Sequence, residues 1–154
     1  MIGLTDGLIQ VTAAFCGTLG FGFLLNSRGK KLIFAALGGM MSWALFLLLG
    51  FITKGEPMRY FIVSVIITLY AEILARILKT PASTFCILSL IPLVPGGALY
   101  YSSTYALSGD TELFVSKAVY TLELTVALSL GIVLVTACMK YFTDFIRRVR
   151  GRHG

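Results

Sequence analysis

Two carboxylates within long apolar stretches are the side chains of this sequence best suited to chemistry. Glu72 is followed four residues later by Arg76, so on a helix the two share a face and can form an ion pair. Glu123 has no basic residue three or four positions away. An ionisable group inside a membrane is costly and usually functional. Either carboxylate is therefore a candidate for carrying a proton, and the alternative for Glu72 is a structural salt bridge.

Glu123 also belongs to a narrow row of small and polar residues at helical spacing: Ser116, Tyr120, Glu123, Ala127 and Gly131. Residues three and four positions apart lie on the same face of a helix. Polar groups in a membrane helix normally face the bundle, so this row is expected to face inward. The alternative is a glutamate near the outer interface that is hydrogen-bonded to a neighbouring helix.

A second candidate site is a break in an uncharged stretch at residues 80–109, formed by Pro92, Pro95, Gly96 and Gly97. Each proline lacks an N–H and clashes with the carbonyl four residues before it, so the carbonyls of Leu88 and Ile91 are expected to be free. Glycine permits positive φ and close backbone approach. Together these residues predict a real interruption of a helix, where a single proline would only kink it.

Unwound backbone at membrane depth is tolerated only where it is buried in protein or lines a wet cavity. Transporters place such broken helices at the membrane midplane, with a half-helix N-terminus facing an anionic group of the substrate. We therefore predict a substrate site at the break, with Tyr100 and Tyr101 supplying hydroxyls. The alternative is a sharp kink between two short segments, with the tyrosines at the membrane interface.

Composition requires that these residues be positioned by membrane helices. The chain has 154 residues, of which 57% are hydrophobic and 13% charged, and its mean hydropathy is +0.89. Soluble domains carry about 25% charged residues. We predict an all-α, polytopic membrane protein, a single domain over residues 1–154. Its five spans are expected at about 7–27, 32–53, 60–78, 83–107 (discontinuous) and 116–140, followed by a basic tail at 141–154.

Small residues in the first two spans, such as Ala14, Thr18, Ala35 and Gly39, recur at a spacing that favours close helix packing.

Charge placement orients the bundle. With the N-terminus outside, ten basic residues fall on the cytoplasmic side: Arg28, Lys30, Lys31, Arg76, Lys79, Lys140, Arg147, Arg148, Arg150 and Arg152. Three fall outside: Lys54, Arg59 and Lys117. This asymmetry obeys the positive-inside rule, so the N-terminus is expected outside and the C-terminus in the cytoplasm.

Several function classes are not expected. The net charge of +6 comes from short gaps between spans and from the tail, so it indicates topology rather than nucleic-acid binding. The single histidine, His153, and three widely separated cysteines, Cys16, Cys86 and Cys138, make a metal site improbable, and no cofactor is expected. The predicted spans hold no nucleophile–base pair, so the chain is not expected to be an enzyme.

The sequence resembles the threonine/serine exporter family. The resemblance rests on Ala71-Glu72-Ile73-Leu74-Ala75-Arg76, Lys79-Thr80-Pro81, Phe85, Ile91-Pro92-Leu93-Val94-Pro95-Gly96-Gly97 and Tyr100. Residues 20–23 and 35–39 resemble the first two helices of the family. By length the chain is similar to the small YjjB-type subunits, which correspond to the C-terminal five helices of fused exporters.

The resemblance implies a secondary transporter in the cell inner membrane, driven by the proton gradient. It exports a small polar acid or amino acid, either threonine and serine or a dicarboxylate such as succinate. The resemblance also implies a larger YjjP-type partner subunit. It leaves open whether the chain associates with further copies of itself. Glu72 or Glu123 would be the coupling group. The competing hypothesis is a non-transporting structural or assembly subunit.

Overall fold

The computed structural model describes residues 4–150, which form six α-helices joined by short connections and contain no β-strand. The helices are α1 (Leu4–Leu24), α2 (Lys30–Leu49), α3 (Glu56–Ile77), α4 (Ala82–Leu90), α5 (Gly96–Ser108) and α6 (Thr111–Arg150). A single 3-10 turn, Ile91–Leu93, follows α4. The all-α prediction is confirmed. Arg152 and His153 of the predicted tail lie outside the described residues.

The helices begin and end where the sequence provides breakers. Gly29, at φ 68°, precedes α2, and a proline in the first turn of α3 needs no hydrogen-bond donor there. Gly109 ends α5 in the left-handed conformation at φ 77°. The Asp110 carboxylate then accepts a hydrogen bond from the Leu113 N–H at 3.1 Å, which caps the start of α6.

Within residues 4–150, four helices are long and apolar enough to cross a membrane: Thr5–Leu24, Lys30–Leu49, Glu56–Ile77 and Thr111–Thr143. A fifth crossing is formed if the bent pair Ala82–Leu93 and Gly96–Ser108 counts as one span. The two halves of that pair meet at 60°. The predicted bundle of about five transmembrane helices with a broken fourth helix is confirmed, and the break lies at the predicted prolines and glycines.

The bundle is built around α3, which packs along α6 and also contacts α4 and α2. One core cluster joins α2, α3, α6 and the break, and includes Phe46, Ile67, Leu93 and Leu124. A second cluster joins α2, α3 and α4, with Ala35, Phe85 and Leu88 fully buried. The break is thus anchored in the core by Leu93.

Small residues mark the closest helix crossings, as the spacing in the first two helices predicted. Gly39 of α2 lies against the side chain of Thr18 in α1, and Thr18 is fully buried. Gly131 of α6 lies against Ser64 of α3 in the same way. In lipid the attraction between helices comes from such close packing, because apolar surface gains little by leaving apolar solvent.

The last helix is longer than the predicted fifth span. α6 contains 40 residues, which corresponds to about 60 Å, or about twice the thickness of the hydrocarbon core. Residues 141–150, predicted as the start of a tail, continue the helix.

Candidate functional site

The break between α4 and α5 keeps more backbone hydrogen bonds than the sequence indicated. The Ile91 N–H donates to the Leu88 carbonyl, and the Val94 N–H donates to the Ile91 carbonyl at 3.1 Å. The expectation that these two carbonyls are free is therefore wrong. The chain tightens here from α to 3-10 geometry. Each of the two carbonyls lacks the N–H donor four residues later in the chain, where a proline stands, and accepts a hydrogen bond from the N–H three residues later.

The free groups at the break are amides at the start of α5. The Gly96 N–H donates to the Val94 carbonyl at 2.6 Å, and the first helical bond of α5 runs from Leu99 N–H to the Pro95 carbonyl at 3.0 Å. Among the described residues, the N–H groups of Gly97 and Ala98 have no backbone acceptor. Such amides at a helix N-terminus carry partial positive charge and suit an anionic group.

A cavity of about 470 Å³ lies between α3, α4, the break and α6. Its walls are mostly carbon, including Leu90, Ile91 and Val94 of the break. The polar side chains that line it are Thr68, Glu72, Ser83, Cys86 and Thr136. A largely apolar cavity with a few polar groups is the usual form of a small-molecule site.

Among the residues that the structure describes, Glu72 is the one charged residue that lines this cavity, and contacts within α3 and to α6 hold it in place. Its Oε2 accepts a hydrogen bond from Arg76 Nη1 at 2.7 Å, and the same nitrogen donates to the Glu72 carbonyl at 2.7 Å. Arg76 Nη2 also donates to Thr143 Oγ1 of α6 at 3.2 Å. The Glu72 side chain is 16% exposed and that of Arg76 is 45% exposed. The pair therefore joins two helices at one end of the cavity.

Thr68 of α3 and Cys86 of α4 both line the cavity and lie next to each other. Thr68 lies one helical turn before Glu72, and its Oγ1 is 3.9 Å from the sulfur of Cys86. Thr68 is buried and Cys86 is half-buried. Sequence reasoning missed both residues, although the spacing of four between Thr68 and Glu72 would have placed the hydroxyl on the carboxylate's face.

The predicted substrate residues do not all meet at the cavity. Pro92 lines a separate, shallow opening with Gln10 and Trp43, and Pro95 is half-buried. A Cβ atom added at Gly96 or Gly97 would meet nothing within 4 Å.

Tyr100 and Tyr101 also lie away from the cavity, on the outside of α5. They are 67% and 55% exposed, and their rings contact edge to face at 5.6 Å. The structure therefore places Glu72 beside the break but leaves the tyrosines on the surface of the chain.

The expectation that Glu123 faces inward is wrong for this chain. Its side chain is exposed, whereas the neighbouring Thr121 and Leu124 are buried in the bundle. Of the predicted row, Gly131 is buried and Tyr120 is half-buried, but Ser116 is exposed. At 100° per residue the five positions cover an arc of about 80°, in which Tyr120 and Gly131 lie at the edge that faces the bundle and Ser116 and Glu123 at the edge that faces away.

A polar cluster at the other end of α3 also escaped the sequence reasoning. The Tyr120 hydroxyl of α6 donates a hydrogen bond to Glu56 Oε2, and Arg59 Nη2 lies 3.6 Å from Glu56 Oε1. The Arg59 guanidinium stands 5.0 Å from the centre of the Phe46 ring. The sequence gives no sign of this cluster, because Tyr120 lies 64 positions from Glu56.

Comparison with known proteins gives one match. The family model described as "Threonine/Serine exporter, ThrE" matches residues 10–138 of the chain. Searches of curated proteins and of solved structures found no match. The matched region contains Glu72, the cavity, the break and Glu123.

Proposed function

Since the chain belongs to the threonine/serine exporter family, we propose that it forms the membrane part of an exporter of small polar solutes and that the 470 Å³ cavity is its substrate site. The solute is an amino acid such as threonine or serine, or a dicarboxylate such as succinate. The observation that carries the proposal is the position of the break, whose residues Leu90, Ile91 and Val94 line the same cavity as Glu72.

Glu72 is the coupling group in this proposal. Of the two carboxylates proposed from the sequence, Glu72 lines the cavity and Glu123 does not. Its hydrogen bonds to Arg76, and from Arg76 to Thr143, link its charge to the contact between α3 and α6. Protonation would weaken the pair with Arg76, so proton binding and the spacing of these two helices would be coupled.

The exporter works with the larger YjjP-type subunit. α5 packs on α6 and leaves Gly96, Gly97, Tyr100 and Tyr101 exposed. The sequence assigns these residues to the substrate carboxylate, but they lie outside the cavity, so in this proposal a second subunit covers them and completes the site. Exposed tyrosine hydroxyls and free amides at the start of α5 support an incomplete site.

The complex lies in the cell inner membrane, with the N-terminus outside and the C-terminus in the cytoplasm. The described basic residues support this orientation, because Lys79 follows α3 at one end and Lys54 precedes it at the other, with most of the positive charge on the Lys79 side.

A non-transporting structural subunit is the second candidate. It is favoured by the carbon-rich cavity walls and by the hydrogen bonds that satisfy the Leu88 and Ile91 carbonyls. On this hypothesis the break only shapes the bundle, and Glu72 and Arg76 only join α3 to α6.

The test is solute efflux from cells that express the chain with its larger partner and are loaded with threonine or succinate. We expect Glu72→Gln to lower efflux at least tenfold at an unchanged membrane level, because it removes the ionisable group with little change in volume. Glu112→Gln is the matched control, since Glu112 is exposed in the first turn of α6 and far from the cavity. Normal efflux in Glu72→Gln would favour the structural subunit.

A further inference from the structure

Glu123 lies in the middle of an apolar stripe on the outer surface of α6. Val119, Leu122, Val126 and Leu130 are exposed on the same stripe, at successive spacings of three, four and four residues. The ion pairs among described residues, Glu56–Arg59 and Glu72–Arg76, do not involve Glu123. A lone carboxylate thus stands on a surface that otherwise suits lipid.

The depth of Glu123 makes this position costly. Along α6 it is about 9 Å from Lys117 and about 26 Å from Lys140, at 1.5 Å per residue. The hydrocarbon core is about 30 Å thick, so a span bounded by these lysines holds Glu123 within the hydrocarbon. Charged groups at such depth are normally paired or face the interior of a protein.

α5 packs beside α6 and also carries exposed polar groups. Ala98, Ser102 and Tyr105 are its less exposed residues, and its other residues are exposed. The short turn at Gly109 and Asp110 makes α5 and α6 antiparallel neighbours, and Gly96 and Glu123 are equally far from that turn in sequence. The free amides of Gly97 and Ala98 are therefore at about the depth of the carboxylate.

The negative charge of Glu123 indicates which kind of partner covers this surface. The described basic residues nearest in depth, Arg59 and Lys117, lie toward the ends of their helices, and Arg59 already contacts Glu56 and Phe46. A second copy related by a twofold axis along the membrane normal would bring surfaces of equal depth together. Its Glu123 would then face another carboxylate, which is repulsive.

We propose that the α5–α6 surface around Glu123 is the docking site for a membrane helix of a different subunit, and that this helix carries a lysine or arginine paired with Glu123. The inference rests on the proposed function in one respect, namely that the chain works with a second subunit. It adds the surface and the chemistry of the contact.

The test is site-specific photocrosslinking in native membranes, with a photoreactive amino acid at Leu122 or Val126. Both side chains flank Glu123 and are exposed. We expect an adduct with another protein chain, in which the crosslinked peptide is a membrane helix containing lysine or arginine. The same probe at Ile9, exposed on α1, is the control and should not give this adduct.

Charge reversal then tests the pairing. Glu123→Lys should lower the yield of the adduct at least tenfold, and changing the identified base of the other subunit to glutamate should restore it to within about threefold. Glu112→Lys should leave the yield unchanged. If Glu123→Lys fails to insert, Glu123→Gln replaces it, and a yield lowered severalfold is expected.

An adduct with lipid alone, an adduct between differently tagged copies of this chain, or an undiminished yield in Glu123→Lys would overturn the proposal. Efflux is measured in the same cells to separate the two hypotheses. A specific adduct without efflux would refute only the exporter function, and efflux without the adduct would refute only this docking site.

Discussion

At the scale of single residues, Glu72 and Glu123 show how the same residue type takes two environments in one bundle. Glu72 lines a cavity and is held by Arg76 at 2.7 Å, whereas Glu123 lies on the outer surface. The spacing of Glu72 and Arg76 made their pairing predictable. The direction of Glu123 was not predictable, because in lipid both the buried and the exposed faces of a helix are apolar, and periodicity cannot tell them apart.

Gly131 provides a residue-scale prediction about stability. A Cβ atom at this position would overlap the Ser64 hydroxyl and press on the Phe61 carbonyl, which is backbone and cannot move aside. Gly131→Ala should therefore destabilise the folded protein by about 1–3 kcal/mol, the usual range for overpacking.

The measurement is thermal unfolding in detergent. Gly17→Ala is the matched control, since a Cβ atom there meets nothing within 4 Å. Equal midpoints for the two variants would mean that α3 and α6 do not cross as closely as the structure has them.

At the scale of secondary structure, the break in the fourth span was the most predictable feature, and its hydrogen bonding the least. Two prolines and two glycines in six residues predict an interruption of the helix in any surroundings. The 3-10 turn gives the Leu88 and Ile91 carbonyls hydrogen-bond donors. It accompanies the packing of Leu93 into the core, and sequence alone does not reveal that packing.

Replacing Pro95 and Gly96 with alanine tests whether the break serves transport. In a helix interior proline costs about 3 kcal/mol and glycine about 1 kcal/mol relative to alanine, so the double variant favours continuing the helix. We expect normal insertion but loss of efflux, because the amides at the start of α5 would be taken up in helical bonds.

Pro57→Ala is the control for the loss of a proline, since Pro57 stands in the first turn of α3 where no hydrogen bond is lost. It should leave efflux within about twofold. Full efflux in the Pro95 and Gly96 variant would show that the break is only a kink.

At the scale of the whole molecule, hydropathy and breakers predicted the number and order of the helices, but not their neighbours. The contacts of α3 with α6 and of α2 with α4 join segments well apart in sequence, and small residues at many positions allow several packings. The cavity is a product of these contacts, so of its polar lining only Glu72 was selected from the sequence.

The orientation of the bundle is a whole-molecule prediction. In a background with Cys16, Cys86 and Cys138 replaced by serine, a membrane-impermeant maleimide should label Lys54→Cys in intact cells. Arg148→Cys, exposed near the other end of α6, should react only after the cells are permeabilised. The opposite pattern would invert the topology drawn from the ten and three basic residues.

The continuity of α6 makes it a lever arm. It touches α3 near one end through Tyr120 and Glu56 and again further along through Thr143 and Arg76. A tilt of roughly 10° about the first contact would move Arg148, about 42 Å further along the helix, through roughly 7 Å. A rearrangement too small to notice near Tyr120 is thus magnified at Arg148, where a spectroscopic label would detect it most easily.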